Sequence, residues 1–106
     1  MKRRNILKLI AQDLGYSVED ILTKGKKTDV LYARYIAITI LREEGYSTNE
    51  IASLFTEWSR NNIANHCVEV FNDLLSYNRK FKDMYLKAVK AVEDSDYEDE
   101  NDQKSA

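Results

Sequence analysis

Apolar residues recur at helical spacing along most of the chain, and short polar segments separate one repeat from the next. No segment alternates apolar and polar residues in the manner of a half-buried strand. The pattern therefore predicts an all-α fold, a small helical bundle of about six helices. These helices are expected over residues 3–14, 18–23, 29–44, about 48–55 and about 60–75, and from residue 79 onwards.

Cap signals support these boundaries. Ser17 with Asp20, and Ser47 with Glu50, have the spacing of capping boxes, in which two side chains satisfy backbone N–H groups at a helix start. The three glycines of the chain stand where helical patterns stop. The third helix is apolar on nearly every face, so we expect it to lie at the centre of the bundle.

Residues 47–75 have the form of a helix-turn-helix. The turn is predicted to end at Ser59, which caps a second, amphipathic helix. Asparagine is a poor helix former, yet this helix places several on its exposed face. An asparagine side chain can pair with both N6 and N7 of adenine in the major groove. We therefore predict a recognition helix for duplex DNA. The side chains expected to read base edges are Arg60, Asn61, Asn62 and Asn65.

The charge is unevenly distributed. Residues 1–92 hold 15 Lys and Arg against 11 Asp and Glu, a formal charge of +4, whereas residues 93–106 hold seven acids and one base. A basic body suits a surface that meets phosphates. We assign residues 1–93 to a helical DNA-binding domain and residues 94–106 to a disordered acidic tail. The tail either keeps the protein soluble or competes with DNA for the basic surface.

Several stretches resemble the C-terminal DNA-binding domain of the bacterial replication initiator DnaA, which belongs to the Trp repressor-like class. LGYSVEDILTK (residues 14–24) is similar to the start of that domain, and ARYIAITIL (residues 33–41) to its "ARQIAMYL" helix. IASLF and NNIANH stand where the family has its signature. Aligned without gaps, the family's "FGGRDHTTV" corresponds to FTEWSRNNI at residues 55–63.

The resemblance implies binding in the major groove through the helix that starts at Ser59. It does not imply the family's recognition sequence, because the signature differs: Trp58 replaces Arg, Ser59 replaces Asp, Arg60 replaces His, and asparagines replace both threonines. Glu69 also stands where the family often has a base. By the same resemblance, the basic loop and one arginine would hold phosphates or the adjacent minor groove. The residues expected there are Lys24, Lys26, Lys27, Arg34 and Ser59.

Some of these residues have simpler explanations. A lysine-rich loop around a glycine can be a solvated connection, Arg34 can be the partner of an acid, and Ser59 acts first as an N-cap. Arg60 can form a cap or a salt bridge with Glu57. Trp58 is expected to anchor the turn between helices.

Other classes of protein find no support in the sequence. There is no nucleophile beside a base, no pair of carboxylates on an ordered face and no glycine-rich phosphate loop, so we expect neither an enzyme nor a cofactor. The single cysteine has no second thiol or histidine cluster with which to bind a metal. The longest apolar stretch, residues 30–41, falls short of the roughly 20 residues that cross a bilayer. A cytoplasmic protein is expected.

The sequence thus predicts a sequence-specific double-stranded DNA-binding protein. It would act on its own as an accessory or regulatory factor of replication or transcription. A phage or mobile element is one setting in which such a factor would be found. The alternative is a protein-interaction module of the same fold, which binds or antagonises a replication or transcription protein without reading DNA. Its support comes from Glu69, the altered signature and the acidic tail.

Overall fold

The computed structural model describes residues 3–23 and 28–105, except for the side chains of residues 3, 4, 66 and 95–105. Within these residues the chain forms six α-helices, one π-helical segment and no strand. The prediction of an all-helical fold with six helices is confirmed. The elements are α1 (Arg3–Leu14), α2 (Val18–Leu22), α3 (Thr28–Glu43), α4 (Thr48–Leu54), the π-helical segment Asn62–His66, α5 (Cys67–Tyr77) and α6 (Arg79–Ser105).

Helix α3 lies at the centre of the bundle, as its apolar faces predict. It contacts each of the other five α-helices. Nine of its 16 residues are buried, among them a single charged side chain, Arg34. A helix that is apolar all round is stable in water only when neighbours cover it, so α3 sets where the other helices pack.

Local hydrogen bonds fix the helix starts as predicted. Ser17 Oγ accepts from the N–H of Asp20 at 3.0 Å, and Ser47 Oγ accepts from the N–H of Glu50 at 3.2 Å. Each acid in turn accepts from the backbone of its partner serine, at 3.3 and 3.1 Å. Gly45 ends α3 with φ +98, a conformation that glycine adopts without steric cost. Gly45 and the capping box at Ser47 therefore fix the path of the chain from α3 into the helix-turn-helix.

The helix after the turn differs from the prediction of a continuous α-helix. Residues 62–66 form a π-helical turn, in which the N–H of Cys67 donates to the carbonyl of Asn62. Ile63 and Cys67 on either side of this wide turn are both buried, with 0% and 1% of their surface exposed. The π-helical turn thus lies against the core. Hydrophobic spacing gives no sign of it, because the apolar residues still recur at intervals of three and four.

An aromatic cluster joins the last helix to the rest. The ring of Phe81 lies edge-on between Tyr32 and Phe71, with centroids 5.3 and 5.4 Å away, and Phe71 in turn meets Tyr85 at 5.0 Å. Asn78 caps α6, because its Oδ1 accepts from the N–H of Phe81 at 2.9 Å. Its Nδ2 donates to Tyr32 at 3.0 Å. The start of α6 is thereby held against the first half of α3.

The sequence predicts that the acidic end of the chain, residues 94–106, is disordered. The backbone of α6 runs through this segment to Ser105. The side chains beyond residue 94 lie outside the described set, and the domain boundary placed there remains a prediction.

Two apolar side chains of α6 allow the aromatic cluster to be tested. Phe81 is fully buried, whereas Leu86 is 52% exposed. We expect Phe81→Ala to lower the free energy of unfolding by about 3–5 kcal/mol, because it leaves a cavity that the neighbouring rings cannot fill. Leu86→Ala on the same helix should cost much less. Urea unfolding followed by circular dichroism measures both, and equal losses would contradict the role given to the cluster.

Candidate nucleic-acid interface

Helix α4 and residues 60–77, which we call the recognition helix, form the helix-turn-helix. The recognition helix comprises the two helical residues Arg60 and Asn61, the π-helical segment and α5. Ser59 caps it as predicted: its Oγ accepts from the N–H of Asn62 at 3.0 Å, and its carbonyl accepts from Ile63 at 3.1 Å. Because the serine oxygen already serves the cap, any phosphate contact from this side chain is additional to that role.

Two of the four predicted base-reading residues are exposed asparagines near the start of the recognition helix. Asn61 and Asn65 are both exposed and stand four residues apart. Asn62 is half-buried instead, and its Oδ1 lies 3.5 Å from Cys67 Sγ, which donates to it. Asn61 and Asn65 are therefore available to a ligand, whereas Asn62 faces partly inward.

Arg60 is exposed and ties the recognition helix to α4. Its Nε donates to Oδ1 of Asn49 at 2.5 Å. This hydrogen bond uses one of the five N–H donors of the guanidinium. Asn49 was not singled out from the sequence, because it lies inside a capping box and 11 residues from its partner. A contact of this kind depends on how the two helices pack, which residue spacing does not reveal.

Arg34 does not lie where the sequence predicts. It is 1% exposed, so a phosphate contact from this side chain is not available in this conformation. Its Nε donates to the carbonyl of Ile21 at 2.7 Å, and Nη2 donates to the carbonyls of Asp20 at 3.2 Å and Thr23. The last carbonyls of a helix have no partner within it, and a cation there also meets the negative end of the helix dipole. Arg34 therefore fastens the end of α2 to α3, which corrects the expectation of a direct contact.

The same guanidinium connects α2 to the turn of the helix-turn-helix. Its central carbon lies 5.6 Å from the centroid of the Trp58 ring, within the range of a cation–π interaction. Trp58 is half-buried and packs against the core, as expected of an anchor in the turn. Arg34 therefore contacts both Trp58, which precedes the cap at Ser59, and Thr23, which precedes the basic loop.

The loop lysines Lys24, Lys26 and Lys27 lie outside the described residues. Both ends of the loop are described. Thr23 accepts a hydrogen bond from Arg34, and Asp29, in the first turn of α3, pairs with Lys80 of α6 at 2.9 Å. The loop thus starts close to the helix-turn-helix and ends close to the start of α6. The basic surface expected from the loop lysines and the recognition helix stays a prediction.

Burial changes the acidity of several groups behind the interface. It raises the pKa of the Cys67 thiol to about 11 and raises the pKa of Tyr35, and it lowers the pKa of Arg34. At neutral pH the thiol is therefore protonated and unreactive, whereas the arginine stays charged because its unperturbed pKa is so high. These groups serve as packing and as a fixed cation.

The described residues contain no group of three or more His, Cys, Asp and Glu side chains arranged to hold a metal ion. Within the same residues, no helix has both the length and the apolar character needed to span a bilayer.

Comparison with known proteins gives one family. Residues 4–70, more than half of the chain, match the family model described as the bacterial DnaA protein helix-turn-helix. The match covers α1 to α4 and most of the recognition helix, and it ends before α6. No curated protein matches the chain. In DnaA this module binds DNA. The frame of helices and the family model agree, and the chain belongs to the family of the DnaA C-terminal helix-turn-helix domain.

Proposed function

We propose that this protein binds double-stranded DNA sequence-specifically and acts as an accessory or regulatory factor of replication or transcription. The observation that supports this proposal best is the exposed pair Asn61 and Asn65 at the start of the recognition helix of a DnaA-type helix-turn-helix. In helix-turn-helix proteins, the N-terminal residues of the second helix contact base edges in the major groove. The two asparagines occupy that position.

The base-reading and phosphate-binding roles fall to different residues. Asn61 and Asn65 each offer a donor and an acceptor that suit adenine. Arg60, which is hydrogen-bonded to Asn49, adds a positive charge at the edge of the DNA major groove. Asn62 contributes less, because its oxygen already accepts from Cys67. The loop lysines supply charge that attracts any duplex and adds no sequence preference.

Arg34 takes part as a positioning residue. Its guanidinium contacts both the end of α2 and Trp58. These contacts set the distance between the basic loop and the turn before the recognition helix. A duplex is rigid, so the distance between its phosphates and the base edges is fixed. A fixed distance between the loop and the recognition helix therefore lets the protein contact phosphates and bases at the same time.

A second function, recognition of a protein partner, has its own support. After Arg60 the recognition helix carries no Lys or Arg up to residue 78, and it holds two exposed acids, Glu69 and Asp73. Carboxylates on this face would repel phosphates near the far end of the helix. On a protein surface they would instead pair with basic residues.

Salt dependence separates the two functions. We expect the affinity of the full chain for random duplex DNA to fall steeply with salt, because each phosphate that a cation neutralises releases counterions. Fluorescence anisotropy with a labelled duplex at several salt concentrations gives the slope of log K against log salt. Absence of binding to any duplex at low salt would favour the protein-interaction module.

The asparagine pair can be tested against a matched asparagine on the same helix. After selection of preferred sites from a random duplex pool, we expect Asn61→Ala or Asn65→Ala to reduce the preference for those sites over random DNA by about 5- to 150-fold. Asn72→Ala, at an exposed position two turns further along, should leave the preference unchanged. Lys26→Ala should weaken both kinds of DNA alike and flatten the salt dependence. If the asparagine variants also weakened both alike, the assigned base contacts would be wrong.

The role of Arg34 makes a different prediction. Lysine keeps the charge but cannot reach all three carbonyls, so Arg34→Lys should lower the free energy of unfolding by at least about 2 kcal/mol. It should also shift the emission of Trp58, the only tryptophan of the chain. Arg42→Lys, at an exposed arginine of the same helix, is the control and should change neither. If Arg34→Lys kept wild-type stability and Trp58 emission but lost affinity for DNA, Arg34 would be a direct DNA contact after all.

A further inference from the structure

The first turn of α6 carries a group of cations that the helix-turn-helix does not explain. Arg79, Lys80 and Lys82 are all exposed. They lie beyond residue 70, where the match to the DnaA helix-turn-helix family ends. Their positions must be explained by this chain itself.

Helix stability does not account for them. The N-terminus of a helix carries a partial positive charge and favours acids, whereas the first turn of α6 contains no acid. Cations at this end oppose the helix dipole. Further along, the same helix places its acids at the C-terminal end, where the dipole also disfavours them, with seven acids in residues 93–106. The charge pattern of α6 is therefore the reverse of the one that would stabilise it.

The fold places this turn beside the first residues of α3, which follow the basic loop. Lys80 Nζ donates to Oδ1 of Asp29 at 2.9 Å, and Asp29 lies two residues beyond the loop. The other end of the loop is Thr23, which Arg34 holds next to Trp58. The described residues at the two ends of the loop are thus held near the turn of the helix-turn-helix and near the first turn of α6.

The surface at this turn suits a polyanion. Arg79 and Lys82 line a shallow groove of about 410 Å³ together with Tyr77, which is 89% exposed. Asp83 lies in the same groove and offsets part of the charge. Lys80 is engaged by Asp29, so Arg79 and Lys82 are the cations best placed to meet a ligand. An arginine, a lysine and a tyrosine hydroxyl together are donors of the kind that contact DNA backbones.

The far end of α6 is directed elsewhere. Lys80 contacts the start of α3. Val92 and Glu93 instead line a surface groove with three residues near the end of α3, which are Ile40, Glu43 and Glu44. The two helices therefore run in the same direction over this stretch. The cationic turn of α6 lies at the loop end of the bundle, and Glu93 lies at the other end with the two acids of α3.

We infer that the first turn of α6 is a second phosphate-binding site for duplex DNA, in which Arg79 and Lys82 extend the contact from the basic loop past the helix-turn-helix. This inference rests on the proposed DNA-binding function. It adds contacts to the backbone outside the segment that the recognition helix reads. Affinity and footprint length depend on the new site, whereas sequence preference does not.

The test compares single variants that remove the same charge from the same helix. Arg79→Ala and Lys82→Ala should each reduce the slope of log K against log salt by about 0.9, the value for one phosphate contact, and weaken selected and random duplexes equally. The double variant should lower affinity by about ten- to a hundredfold at 0.1 M salt. Lys90→Ala is the matched control, since Lys90 is exposed about 12 Å beyond Lys82 along α6. It should leave the slope unchanged.

Hydroxyl-radical footprinting gives a second readout. The double variant should lose protection at one flank of the site and keep protection of the base-reading segment. If wild type binds duplex DNA but Arg79→Ala and Lys82→Ala behave like Lys90→Ala, the inference is overturned and the proposed function stands. If wild type shows no salt-dependent binding to duplex DNA, the proposed function itself fails. Unchanged urea unfolding of the variants shows that these exposed substitutions leave the fold intact.

Discussion

The arrangement of this domain depends on one buried cation. Arg34 crosses from the central helix to the carbonyls at the end of α2 and lies against the indole of Trp58. A charge taken out of water must recover the lost hydration through hydrogen bonds, and here those bonds join α3 to the end of α2. The cation–π contact with Trp58 adds the turn of the helix-turn-helix. The family signature has arginine where this chain has Trp58. An aromatic ring in place of a second cation attracts the guanidinium of Arg34 and avoids repulsion between like charges.

The sequence predicts the parts of this fold that depend on near neighbours. The capping boxes at Ser17 and Ser47, and the cap of Asn78, involve partners three residues away, so their spacing reveals them directly. The exposure of Asn61 and Asn65 follows from helical periodicity for the same reason. Local chemistry decides these features, and tertiary packing does not overrule it.

The features that the sequence does not reveal all depend on packing. A lone arginine among apolar residues is predicted at the surface, because nothing in its neighbourhood shows that the end of α2 lies within reach. The contact between Arg60 and Asn49 has the same origin, since it joins two helices across a turn. The cations of Arg79 and Lys82 are visible in the sequence, but their nearness to the loop is known only once Lys80 is seen to pair with Asp29.

The π-helical turn at residues 62–66 has a consequence for how such a domain can change its specificity. In a π-helical turn an N–H donates to the carbonyl five residues earlier, one residue more than in an α-helix, so the residues before the turn are rotated relative to those after it. Asn61 lies before this turn, and the buried Phe71 lies after it in α5. Conversion of the turn to regular α-helix would therefore re-aim Asn61 relative to the core contacts of α5. The direction in which the domain presents its reading residues can thus change while its interior stays the same.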